Sequence, residues 1–302
     1  MGHDHAHGSG VEHRGRLVLV LALSLGVLAV QVVFAIATGS LALLADAGHV
    51  LSDAFGLVLA LAAISVAQRP GGPRRTYGFH RTEVLAAGVN GLVLLGICVA
   101  VVAGAIRRLE DPPAIEGGWV LVAGLIGLAV NVVGLLVLRA GSRESLNVRG
   151  AYLEVLGDAL GSVAVIGSAL VIMLTGWDLA DPIASLLIAL LILPRAISLL
   201  RDVVEVLMES SPREVDLDEL RRHMVATPGV VDIHDLHVWT ITSGMPVMSA
   251  HVVVDDSLTR LSEAHEVLDR LRGCLAEHFD VEHSTFQLEP IEHGESEKHA
   301  HR

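Results

Sequence analysis

Six apolar stretches, at about residues 17–37, 41–67, 84–106, 118–138, 150–175 and 180–201, occupy most of the chain before residue 204. Each holds about 20 or more residues, which at 1.5 Å per residue spans a bilayer core ~30 Å thick. Apolar residues run all the way round these stretches, with Gly and Ala scattered among them. That is the composition of bundled membrane helices. The expected fold is therefore a multi-pass α-helical membrane protein with six transmembrane helices over residues 17–204. A polar His-containing tail (1–16) precedes it, and a polar domain (205–290) and a second His-containing tail (291–302) follow.

Charge follows the same division. Of the formal net charge of −13, residues 1–204 contribute −1, from 14 Asp and Glu against 13 Arg. Residues 205–302 contribute −12, from 20 acidic against 8 basic residues. This balance argues against nucleic acid as a partner, because phosphate binding needs a basic face. It suits a protein that handles cations. The two cysteines, Cys98 and Cys274, lie in different parts of the chain and read as small packed hydrophobes. No disulfide framework or Cys-rich zinc site is expected.

Arginine sets the expected orientation. Nine arginines precede the first stretch or lie between the second and third and between the fourth and fifth; only Arg107 and Arg108 lie on the other side. Both termini and the 68–82 loop are then cytoplasmic, and the bilayer is the plasma membrane. The first sixteen residues are polar, so no cleavable signal peptide is expected. The Arg cluster of the 68–82 loop reads anionic lipid or sets topology.

After Arg201 the pattern becomes that of a soluble protein. An amphipathic helix is expected over 215–226, strands over 231–241 and 246–254 joined at Ser243-Gly244, a helix over 257–278 and a strand over 281–289. The order α-β-β-α-β points to a two-layer α+β domain similar to a ferredoxin-like or metallochaperone-like fold, less one strand. Residues 291–302 are expected to be disordered.

Ionisable groups inside membrane helices are costly and default to function. Two stretches are read as carrying them well inside: Asp46, His49 and Asp53 on the second, Glu154 and Asp158 on the fifth. His49 and Asp53 are i, i+4, as are Glu154 and Asp158, so each pair shares a helix face. Asp46 joins the first stripe. The two helices run antiparallel, so His49 can lie level with Asp158 and Asp53 with Glu154. One imidazole and three carboxylates then converge, a donor set for tetrahedral Zn²⁺, Co²⁺ or Cd²⁺. Gly48, Gly56, Gly157 and Gly161 interleave these residues and permit close helix approach. The competing reading, acids that are protonated and merely glue helices together, needs far fewer ionisable groups.

Four segments carry a family resemblance: LADAGHVLSD (44–53), YGFHRTE (77–83), NVRGAYLEVLGD (147–158) and HDLHVW (234–239). With these the chain, from about residue 16 to 290, resembles the cation diffusion facilitators, in particular their cobalt–zinc–cadmium resistance branch. The resemblance implies a homodimeric antiporter that exchanges a divalent metal for protons and exports the metal from the cytoplasm by alternating access. Its tetrahedral site would lie on the second and fifth helices. The usual ligand set is two His and two Asp; His49, Asp53 and Asp158 match it, and Glu154 stands where many members have His. An oxygen-rich set of this kind tolerates harder ions than a two-His set.

The resemblance also implies metal sites in the C-terminal domain, at positions matching His234, His251, His265 and Glu289. Strand periodicity independently places His251, His283 and Glu289 on faces opposite apolar residues, and favours His237 over His234. Resemblance and periodicity thus disagree on His234 versus His237, and a bulge or the point at which the strand starts decides either way. His80 reads as a loop histidine near the headgroups. Among rival classes, an intramembrane enzyme lacks HExxH or a Ser or Cys beside a base. A channel would spread polar groups over several helices. A metal sensor with an anchor would not need six spans.

Overall fold

A computed structural model describes residues 9–140, 142, 146–257, 260–278 and 283–296. Six long helices come first: α1 (Ser9–Thr38), α2 (Leu41–Ala67), α3 (Arg81–Glu110), α4 (Gly117–Leu138), α5 (Leu146–Thr175) and α6 (Ala180–Leu207). Each contains a segment long and apolar enough to cross a membrane. Most outrun the apolar limits read from sequence, because an established helix gains one hydrogen bond per added residue, apolar or not. For the same reason α1 starts at Ser9, inside the expected polar tail. His3, Asp4, His5 and His7 lie outside the described residues.

The α1–α2 connection is two residues long and turns on Gly39, whose φ of 69° is open to glycine and strained for other residues. Thr38 Oγ1 closes the end of α1 by donating to Phe34 O at 2.6 Å. The helices meet through small residues. Ala42, Ala123, Ala169 and Ala196 are fully buried beside Leu43 and Leu94. Cys98 is buried in the same cluster. Without a hydrophobic drive between helices in lipid, such small contacts let backbones approach and pack.

The chain divides into two compact units, residues 1–62 with 86–200, and residues 63–85 with 201–302. In the second unit, α7 (Leu217–Val225), β1 (Val230–Thr240), β2 (Pro246–Val254), α8 (Leu261–His278) and β3 (His283–Glu289) form the expected α-β-β-α-β domain. The sheet order is β1-β2-β3, with β1 and β2 antiparallel and β2 and β3 parallel. A parallel pair needs a crossover, and α8 supplies it. Leu220 and Met224 of α7 and Val267 and Leu271 of α8 pack on Ile233 and Met248 of the sheet. The Asp216 side chain accepts from the Asp218 and Glu219 N–H groups at 3.0 and 3.1 Å, which starts α7 later than the apolar pattern suggests. The expected disorder from residue 291 is corrected for Ile291–Ser296. This segment forms a short helix, α9, with Pro290 O accepting from His293 N at 3.0 Å.

Candidate metal centre

The helix α2 is held at its start from across the bundle. The buried Asp181 carboxylate, at the beginning of α6, accepts from Ser40 Oγ at 2.5 Å, Leu41 N at 2.7 Å and Ala42 N at 3.3 Å. These include backbone donors that a helix N-terminus otherwise leaves unsatisfied. Arg108 of α3 lies 3.6 Å from the same carboxylate. The start of α2 is thereby fixed, and the residues two to three turns further on are fixed with it.

Those residues are His49 and Asp53. His49 Nε2 lies 3.6 Å from Asp53 Oδ2 and 3.4 Å from Asp158 Oδ1 of α5. One ligand atom from each of the three lies within 4.8 Å of the others. Two ligands on a tetrahedral zinc ion with ~2.0–2.1 Å bonds sit about 3.4 Å apart, so this spacing fits one ion. His49 and Asp158 are buried, and among the described residues His49 Nδ1 has no hydrogen-bond partner. An orphaned polar atom in such a place calls for an explanation, and a functional role is one.

Asp46 is buried one turn earlier and accepts from Gln31 Nε2 at 2.5 Å. It packs on Gly161, where an added Cβ would stand 2.5 Å from Asp46 Oδ1. This is the close approach expected of the four glycines, and Gly56 and Gly48 stand similarly close to Asn90 and Ile97 of α3. Gly157, by contrast, faces open space. Glu154 is not in the three-residue group. Its Oε1 lies 3.3 Å from Arg195 Nη2 of α6, and the same nitrogen lies 3.3 Å from Asp53 Oδ1.

A second cluster lies in the C-terminal domain. Glu289 Oε1 is 2.8 Å from His251 Nδ1, and Glu289 Oε2 is 3.2 Å from His234 Nε2. One ligand atom from each again lies within 4.8 Å of the others. Gln287 Nε2 donates to Glu289 Oε1 at 2.7 Å. A bulge decides between His234 and His237. The β1–β2 register shifts between them, and Asp235 takes φ 48°. His234 is thereby paired with His251, while His237, opposite Ser249 on the same face, is exposed and outside the three-residue group. This corrects the period-two preference for His237. His265 is 66% exposed beside Asp269 at 3.8 Å, away from the cluster. His283 is exposed at the start of β3, opposite Val247.

Residues 17–208 match the cation efflux transmembrane domain, and residues 212–291 match the cytoplasmic domain of cation efflux proteins. The chain belongs to the cation efflux family. It is therefore a multi-pass membrane transporter of the cation diffusion facilitator type and not an enzyme. Among its relatives, the metal cation efflux system protein CzcD of Cupriavidus metallidurans is 43% identical over 300 residues, covering 99% of this chain and 93% of that one. The cadmium, cobalt and zinc/H⁺-K⁺ antiporter of Bacillus subtilis is 38% identical, covering 97% and 93%. The zinc transporter ZitB of Escherichia coli is 41% identical, covering 96% and 93%.

Sequence reasoning about this cation efflux protein missed three partners. Arg195 lies inside the 180–201 stretch, where the rule that singled out the acids applies equally; the reading that only two stretches carry buried charge is corrected by it. Asp181 sits at a helix start, which disguises it as an ordinary end residue. Gln31 is an amide inside the first stretch, but its pairing with Asp46 crosses from α1 to α2 and leaves no local signal.

Proposed function

We propose that this cation efflux protein is a divalent metal/proton antiporter that exports Zn²⁺, with Co²⁺ or Cd²⁺ as further cargo, from the cytoplasm. The observation that carries the reading is the convergence of His49, Asp53 and Asp158 from two helices at the spacing of ligands on one ion. Glu154 completes a four-ligand set from the next turn of α5, and Asp46 with Gln31 supports it from the side. The relatives named for zinc, cadmium and cobalt support the choice of cargo.

Two hollows flank the group. Asp53, Glu154, Asp158 and Arg195 line one of about 600 Å³. Asp46, His49, Glu154 and Arg195 line another of about 180 Å³. A site reached from either side in turn is what alternating access requires. Carboxylates and imidazole bind protons and metals at the same atoms, so the two compete and can be exchanged. The arginine distribution favours cytoplasmic termini in a plasma-membrane protein. Zinc counterflow into liposomes holding Asp53→Ala should fall to the level of empty liposomes, with the wild type as reference. Wild-type flux in this variant would end the assignment.

The protein acts as a homodimer, and the His234–His251–Glu289 cluster binds metal from the cytoplasm there. The acidic domain concentrates cations near it, and a bound ion offsets repulsion between protomers. Dimer affinity of the full chain in detergent should rise with micromolar Zn²⁺, and the rise should vanish in His251→Ala. Equal dimerisation with zinc and with chelator would refute this.

A further inference from the structure

We propose that Arg195 is a resident competitor for the transport site: its guanidinium holds Asp53 and Glu154 until the cargo ion displaces it, and its return helps expel the ion. The inference rests on the assignment of Asp53 and Glu154 to that site. Arg195 Nη2 lies 3.3 Å from both Asp53 Oδ1 and Glu154 Oε1, and Nη1 lies 3.4 Å from Asp53 Oδ2. Both oxygens of Asp53 are therefore occupied by one cation. A metal that takes either must share it with the guanidinium or dislodge it. Sharing is disfavoured, because a divalent ion and a guanidinium a few ångströms apart repel strongly at low dielectric.

Position and backbone support the same role. Arg195 and Glu154 are the residues of this group that line both hollows, so their pair stands between the two approaches. The side chain lines the hollow of about 600 Å³, so it has space to withdraw. Pro194 immediately precedes it inside α6. Proline lacks the N–H that would bond the carbonyl four residues earlier, which weakens the helix at the turn carrying Arg195. A cation that must leave and return is thus mounted beside a proline-weakened turn of its helix.

Charge arithmetic gives the sign. With Arg195 seated, the three ionised carboxylates present a net charge of about −2 to an arriving ion; without Arg195 the ligand set is near −3 and attracts the ion more strongly. Zn²⁺ binding is measured by equilibrium dialysis of purified full-length protein at pH 8, where protons compete least. A His251→Ala background removes the C-terminal ligand cluster. Arg195→Gln should bind at least tenfold more tightly than the Arg195 reference, yet show a lower maximal rate and lower KM in zinc counterflow. Arg195→Lys, which keeps the charge, should restore affinity to within about threefold. A purely structural arginine would lower the rate without tightening binding. Unchanged or weaker binding in Arg195→Gln overturns the proposal. Asp53→Ala is dialysed alongside: if it binds like the reference, the site assignment fails and this inference with it. If it loses binding while Arg195→Gln is unchanged, only the competitor role fails.

Discussion

Zinc affinity at the membrane site falls by on the order of 100-fold or more in Asp158→Asn, with the fold intact. Even residues that only orient ligands change metal affinity about 10–100-fold, and loss of a ligand exceeds that. Asp158 has a particular weight here. His49 and Asp53 both stand on α2, and Asp158 Oδ1, 3.4 Å from His49 Nε2, is the α5 atom that completes the three-residue group. Removing its charge leaves a two-ligand chelate on one helix plus Glu154, which is engaged by Arg195. Asn has nearly the same shape, so packing is retained and the melting temperature should stay within about 3 °C of wild type. Isothermal titration of the purified variant checks both halves. A variant that unfolds, or one that binds zinc normally, would each contradict the account in a different way.

Asp181→Ala acts on stability instead. The substitution removes the acceptor of Ser40 Oγ and of the Leu41 and Ala42 N–H groups, and strips a fully buried partner from Arg108. Each buried donor left unsatisfied costs about 1–3 kcal/mol, so a loss of about 3–5 kcal/mol is expected even with partial rescue by water. At about 2 °C or more per kcal/mol for a chain of this size, the melting temperature should drop by about 6 °C or more. The zinc ligands themselves are untouched, so affinity should change far less than in Asp158→Asn. A thermal shift assay in detergent gives the first number and zinc titration the second. An unchanged melting temperature would mean that Asp181 does not anchor α2.

The contrast between these residues shows what sequence makes legible. The spans were readable because lipid demands continuous apolar surface, and the observed windows cover every one of the six stretches. The i, i+4 spacing placed His49 and Asp53 on one face, and antiparallel register placed His49 level with Asp158, as the 3.4 Å approach reflects. Asp53 and Glu154 also come together: their carboxyl groups share a hydrogen bond, and Arg195 bridges them. The Ser40–Asp181 bond joins residues 141 positions apart, and no periodicity encodes such a pairing. In the C-terminal domain, period two failed at one point. The positive φ of Asp235 interrupts the alternation, so His234 joins the face that His237 shares with Ser249 and His251, and it is His234 that reaches the cluster. Local patterns record which face a residue shares with its own element. They do not record a bulge, or a partner supplied by a distant helix.

Exchange of zinc for protons across a sealed membrane is the most direct test of the central claim. Purified full-length protein is reconstituted into liposomes with a zinc indicator on the inside and a pH indicator reporting on the lumen. Zinc entry should saturate, should be accompanied by proton exit from the lumen, and should accelerate when the lumen is made acidic at zero membrane potential. Zinc entry that follows the voltage, ignores the pH gradient and moves no protons would contradict it.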